Sequence, residues 1–190
     1  MRDSNRLQRL QQRPLWDFAL ALYAKPGVEH ACLILQDEAG VDVCELLFHC
    51  WLYEHGLAAE PGPLKAIREE RCRWQQQVTA PLRQLRRGLK PQAAQSESIS
   101  TLRKTLQTAE IQAERENLQC WQQWALLSSE QEVSVTKGSI NQHNIAQWLQ
   151  DTLFLLPLDN FSSQASRVRE DIQSAFLALA SQLDRCESPR

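Results

Sequence analysis

The chain has 190 residues, 43% of them apolar, and a formal net charge of −2, enough for one well-cored domain. That even balance argues against a dedicated nucleic-acid binder, which carries a strong basic excess. No run of about 18 apolar residues is present to span a membrane, and the polar, basic start MRDSNRLQRLQQRP has no apolar stretch behind it to act as a secretory signal.

The expectation is therefore a cytoplasmic protein whose six cysteines stay reduced. Residues 1–13 read as a flexible leader. Pro14 then opens a helix, LWDFALALYA, that must stop before Pro26, because the residue ahead of a proline avoids helical geometry. GVEHACLILQDEAG forms a second helix closed by Gly40. Asp42 caps a third, VCELLFHCWLYEH, which Gly56 ends. AAEPGP reads as a tight loop. Residues 64–89 form a fourth helical stretch that Pro81 must kink or restart, since proline lacks the donor and crowds the preceding turn. KPQAAQSES reads as a loop.

A long helix follows over residues 98–127, with a stripe at Ile99, Leu102, Leu106, Ala109, Ala113, Cys120, Trp124 and Leu127, interrupted at Glu116. Residues 128–139 are a polar linker. A sixth helix carries Ile145, Trp148, Leu149 and Leu153 and ends at Pro157. The last, about residues 162–185, has the cleanest stripe, from Phe161 and Ala165 through Val168, Ile172, Phe176, Leu179 and Leu183. The fold class is all-α. A single bundle of six to seven helices is expected, built on residues 14–127 with residues 128–190 as a helical pair packed on it.

Cys44, His49, Cys50 and His55 fall close together, but Cys44 and Cys50, like His49 and His55, are six apart. On a helix six residues turn about 600°, so such partners lie on opposed flanks, and no zinc site or other metal is expected. The cysteines read instead as small buried residues. Asp42, Glu45, His49 and Tyr53 share one face of that helix and read as a solvated face with a surface pair, the alternative being a carboxylate that orients His49 as a general base. No motif for nucleophilic, metal-dependent or nucleotide chemistry occurs, so no cofactor is expected.

Residues 65–90 hold eight Lys and Arg against Glu69 and Glu70. The densest part, PLRQLRRGLK, sets Arg83, Arg86, Arg87 and Lys90 on adjacent turns, a cluster that could grip phosphates on RNA or an anionic surface. Glu110, Glu114 and Glu116 on the long helix offer an internal counter-charge. Trp16, Trp51, Trp121, Trp124 and Trp148 lie on or beside apolar stripes, whereas Trp74 lies beside the basic cluster, where a base could stack on it.

Trp16-Asp17-Phe18 with Tyr23, then Pro26-Gly27-Val28, Leu35-Gln36-Asp37, Gly40 and Asp42-Val43 form a recognisable set. With Trp74, Val78, Pro81-Leu82-Arg83, Leu85, Arg86, Leu89, Lys90, Ala109-Glu110 and Ala113-Glu114-Arg115, it resembles a proteobacterial family of small helical proteins described only as a domain of unknown function. The resemblance spans about residues 15–127. Family members often carry Asn after the Asp-Val pair, where this chain has Cys44.

The resemblance implies no catalytic residues. Among its positions, Asp17, Gln36 and Asp37 have the least obvious structural role. If they converge beside Trp16 and Trp51, they make a polar pocket with aromatic walls, suited to a small enzyme or ligand carrier. The leading expectation is a non-enzymatic adaptor that binds another protein through a helical face, because the last stripe must bury against something. A homodimer through that helix is one form of it. RNA or anionic-surface binding through Arg83–Lys90 is the runner-up.

Overall fold

Glycine, proline and aspartate punctuate the first half of the chain where the sequence places them. The computed structural model describes residues 4–135, 145–153 and 165–183. In it α1 (Ser4–Gln12) and α2 (Leu15–Tyr23) flank Pro14. Next, α3 (Val28–Ala39) runs between Gly27 and Gly40, both at positive φ, where a side chain would strain the backbone. At the start of α4 (Val43–Glu54), the Asp42 carboxylate accepts the N–H of Cys44 at 2.8 Å.

Residues 1–13 were expected to be a flexible leader, yet α1 occupies most of that segment. Its Leu10 is fully buried, and the buried Arg6 donates to the carbonyls of Ser128 (2.7 Å) and Val133 (3.1 Å). One leucine and one guanidinium in a polar run are enough to anchor it.

Downstream, β1 (Leu57–Ala59) pairs antiparallel with β2 (Val133–Val135), Ala58 opposite Ser134, so part of the expected tight loop is a short ribbon. Next, α5 (Pro61–Trp74) runs through a π-helical turn, Gln75–Thr79, into α6 (Ala80–Gly88). This is how the chain accommodates Pro81: the helix widens, and the Ala80 N–H reaches the Gln75 carbonyl five residues back. The expected loop after it contains a short α7 (Lys90–Ala93). Ser96 then caps α8 (Glu97–Leu127), a helix about 46 Å long.

The remaining described helices are α9 (Ile145–Leu153) and α10 (Ala165–Ala180). The fold is all-α around that one small ribbon. At its centre is α4, buried on all sides, with α2, α8, α9 and β1 packed on it. Phe48 stacks on Trp121 with ring centres 4.8 Å apart, and the Trp51 indole N–H donates to the Arg13 carbonyl at 2.8 Å.

The stripe of α10 is covered within the chain. Ile172, Ala175, Phe176, Leu179 and Leu183 are buried against α3 and α9, and the Lys25 ammonium donates to the Gln182 carbonyl just past the helix end. The face on which a homodimer was expected is therefore occupied. Buried residues of α9 and α10 join the same cluster as those of α2, α3 and α4, so the C-terminal helices complete the core instead of resting on a finished one. The helix end expected at Pro157 and the start of the last stripe at Phe161 lie outside the described residues.

Candidate functional site: a basic arm and the cleft at its root

Beyond Thr79 the chain leaves the core. Not one of residues 80–109 is buried, although nearly all are helical. Here α6 and α7 fold back along the first half of α8 as a two-helix arm. The seam between them holds Leu82, Leu89, Ile99, Leu106 and Ala109, all only half-buried, while Leu85 and Leu102 are 57% and 50% exposed. Two helices cover only one face of each other, and among the described residues no third helix lies over this seam.

The arm is fixed at its root by charge. The Arg83 guanidinium donates to Glu110 and Glu114, each at 2.8 Å, and Arg86 also donates to Glu110. Burial works to raise the Glu110 carboxyl, but its bonds from Arg86 and Arg83 outweigh this and hold it below the usual carboxylate range. Glu114, half-buried and sharing one arginine, is pushed up instead by desolvation. Trp74 is tied down as well: its indole N–H donates to the Ala113 carbonyl at 3.0 Å, and the Arg71 guanidinium covers its ring at 5.9 Å.

The five residues of the expected basic patch thus do not form one surface. Arg83 and Arg86 are neutralised at the root, Trp74 is engaged, and Arg87 lies 3.5 Å from Asp37. Lys90 is exposed further out. The internal counter-charge is real for Glu110 and Glu114, while Glu116 instead accepts from the Cys120 thiol at 3.6 Å.

Between the arm root and the body lies a cleft of about 440 Å³, within the usual size of a ligand pocket. Its apolar wall includes Trp16, Leu20, Tyr23, Leu33 and Ile111. Gln36, Asp42, Gln75, Glu114 and the three arginines supply its polar part. Burial raises the Asp42 carboxyl to about 6 even though it accepts backbone N–H bonds from Cys44 and Glu45. Leu20, Leu33 and Ile111 are exposed there at 54%, 38% and 42%, so the wall is open to an incoming group.

The polar pocket expected from Trp16, Asp17, Gln36, Asp37 and Trp51 is not assembled. Trp16 and Gln36 line this cleft, but Asp17 and Asp37 are exposed outside it and Trp51 is fully buried in the core. Periodicity explains why: Asp17 lies off the cleft side of α2, and Trp51 belongs to a helix buried all round. The residues that do line the wall left a sequence signal that was not read. In α2 and α3 the buried face is Leu15, Phe18, Ala19 and Leu22, then Val28, Ala31, Cys32 and Leu35, so Leu20 and Leu33 are surplus apolar residues on a second face.

The stripe of Glu45, His49 and Tyr53, expected to face solvent, is buried. Arg68 donates to Glu45 at 2.6 Å, and His49 lies 3.6 Å from the same carboxylate. Burial works to raise Glu45, but contacts with His49 and Arg68 hold it low. Burial pushes His49 below its ordinary value. These groups are enclosed by the core, where neither ring nitrogen of His49 makes a hydrogen bond among the described residues, and they are not a pair open to substrate. Cys32, Cys44 and Cys50 are buried too, and among the described residues no three His, Cys, Asp or Glu side chains are grouped to hold a metal ion.

The chain belongs to the family described as "Protein of unknown function (DUF2390)", which matches residues 14–121. The whole arm and every residue lining the cleft fall inside that match. No curated protein and no solved structure matches the chain.

Proposed function

We propose that this member of the family is a non-enzymatic protein-binding module and that the arm is its docking element. One observation carries the reading: residues 80–109 form well-made helices without a single buried side chain, and Leu85 and Leu102 stand exposed on them. A 30-residue hairpin whose seam is only half-buried stabilises the body little, and exposed leucines on a rigid scaffold suit a helical partner. The cleft at the root is a second exposed apolar surface, on the other side of the arm helices from Leu85 and Leu102.

The test is site-specific cross-linking. A photoreactive benzoylphenylalanine replaces Leu85 or Leu102 in cells of the source organism, and Leu177, 55% exposed on α10, serves as the control position. A protein adduct of defined mass from the two arm sites and not from the control is the expected result. The same adducts from all three sites, or none from the arm, would sink the reading.

A second reading is kept alive by Lys90, Arg103 and Lys104, which make no ion pair among the described residues. They leave charge for RNA or an anionic surface, and such binding would weaken steeply with added salt.

A further inference from the structure

The cleft at the arm root is unusual in what its polar atoms lack. At Asp42 both backbone hydrogen bonds, from Cys44 and Glu45, fall on Oδ1, which leaves Oδ2 for another donor. None of the groups acting on this carboxyl is a cation. Burial and the Glu45 charge raise it, and only the two N–H groups and the nearby Asn117 amide oppose them.

Gln75 has the same lack. It opens the π-helical turn and its side chain lines the cleft, yet its Oε1 is buried without a hydrogen-bond partner among the described residues. A buried acceptor without a donor costs free energy, and a buried carboxylate without a counter-charge costs more. A second cavity of about 460 Å³ adjoins the first, and Gln36, Asp42 and Gln75 line both. The three side chains therefore stand in a partition between two spaces, within reach of an entering group.

The arginines of the cleft do not answer this need. Arg83 and Arg86 are bound to Glu110 and Glu114, and Arg87 lies beside Asp37. Of the four acids lining the cleft, Glu110 and Glu114 hold those arginines and Glu29 is exposed. Asp42 is the enclosed one left without a cation. Leu20, Leu33 and Ile111 are the exposed part of the wall, whereas Asp42 and Gln75 are not exposed. An entering molecule thus meets apolar surface first and acceptors beyond it. Trp16 and Tyr23 add aromatic surface, which favours a cation over a neutral group.

The geometry points to a small organic amine as the ligand of this cleft: its ammonium group faces Asp42 and Gln75, and its apolar stem lies along Leu20, Leu33 and Ile111. An anion would bring like charge against Asp42. A neutral apolar molecule would cover the wall but leave both acceptors without a strong donor. The site is separate from Leu85 and Leu102 and does not rest on the protein-binding reading.

The test titrates the full chain with phenylbutylamine, phenylbutanol and phenylbutyrate, which share one apolar body and differ in the charge at its end. Binding is followed by the NMR shifts of the Trp16 indole and the Gln75 side-chain amide. The amine should bind at least about tenfold more tightly than either of the others. Asp42→Asn keeps the helix cap and should weaken the amine about tenfold while changing the alcohol little. Gln75→Leu should weaken the amine about threefold. Asp17→Asn, exposed outside the cleft, should leave binding as it is. Tighter binding of phenylbutyrate would assign the cleft to its arginines, and equal binding of all three would reduce it to an apolar slot; either overturns the proposal. No amine binding at millimolar concentration, or amine binding that Asp42→Asn and Gln75→Leu leave untouched, overturns it as well. The cross-links from Leu85 and Leu102 are expected whichever way these titrations fall.

Discussion

Helix α4 and the first half of α8 are both regular helices with leucines at helical spacing, and they meet opposite fates. Of the twelve residues of α4, eleven are buried. Of residues 97–109, none is. In α4 the apolar residues go all the way round, which only enclosure satisfies, so Glu45 and Glu54 are drawn in and must find arginines: Glu45 takes Arg68 and Glu54 takes Arg13. In the first half of α8 the apolar residues make one narrow stripe, and α6 and α7 cover only part of it. The body is built to be finished, whereas the arm has a free side.

That contrast should show first in mutational cost. Trp121→Ala removes the ring stacked on Phe48 and should cost about 3–5 kcal/mol, read by urea denaturation. A loss under about 1 kcal/mol would mean that the centre of the body is not where the structure puts it.

Glu110→Ala comes next. It strips both Arg83 and Arg86 of their shared carboxylate and should cost about 2 kcal/mol. Hydrogen exchange should report the loss in α6 and α7 while α4 amides keep their order of protection. If α4 loosens equally, arm and body are one cooperative unit and the comparison fails.

The Asp42 carboxyl tests the boundary between the two regions. Burial lifts it to about 6, so the folded chain keeps its proton where the unfolded chain has lost it, and stability falls as pH rises through that window. Asp42→Asn retains an acceptor for the N-cap and removes the buried charge. The variant should exceed the parent by about 1–2 kcal/mol near neutral pH, and the two should converge in acid. A variant less stable than the parent at neutral pH would show the carboxylate to be stabilised by neighbours.

The smallest effect is expected on the arm surface. Leu85→Gln and Leu102→Gln should each change stability by no more than about 0.5 kcal/mol, since neither side chain is buried. A large loss in dilute solution would mean that the arm packs against something in the isolated chain.

How much of this could be read beforehand follows the same division. The ends of α2, α3 and α4 were legible because Pro26, Gly27, Gly40, Asp42 and Gly56 act locally, each through its own backbone geometry or hydrogen bond. The short ribbon was not, because three-residue strands exist only where the tertiary fold brings Leu57 opposite Val135. The helix α1 was hidden by composition, since its hold depends on one leucine and on carbonyls more than a hundred residues away. Periodicity also misjudged which stripe lacks cover. The stripes of α8 and α10 obey the same spacing, and spacing shows which residues share a face without showing what lies over it. The α10 stripe is covered by α3, and the α8 stripe is left half bare.

The π-helical turn at Gln75–Thr79 has a consequence for how the arm is aimed. It holds one more residue than an α-helical turn would, at the joint between α5 and α6. Each residue of an α-helix is worth about 100° of azimuth, so losing that extra residue would clock everything downstream by more than a quarter turn. Arg83 and Arg86 would swing off Glu110, and Leu85 would point along a different bearing, with no arm residue altered. The compass heading of the exposed flank is thus written in a glutamine-rich turn outside it, held open by the proline that follows.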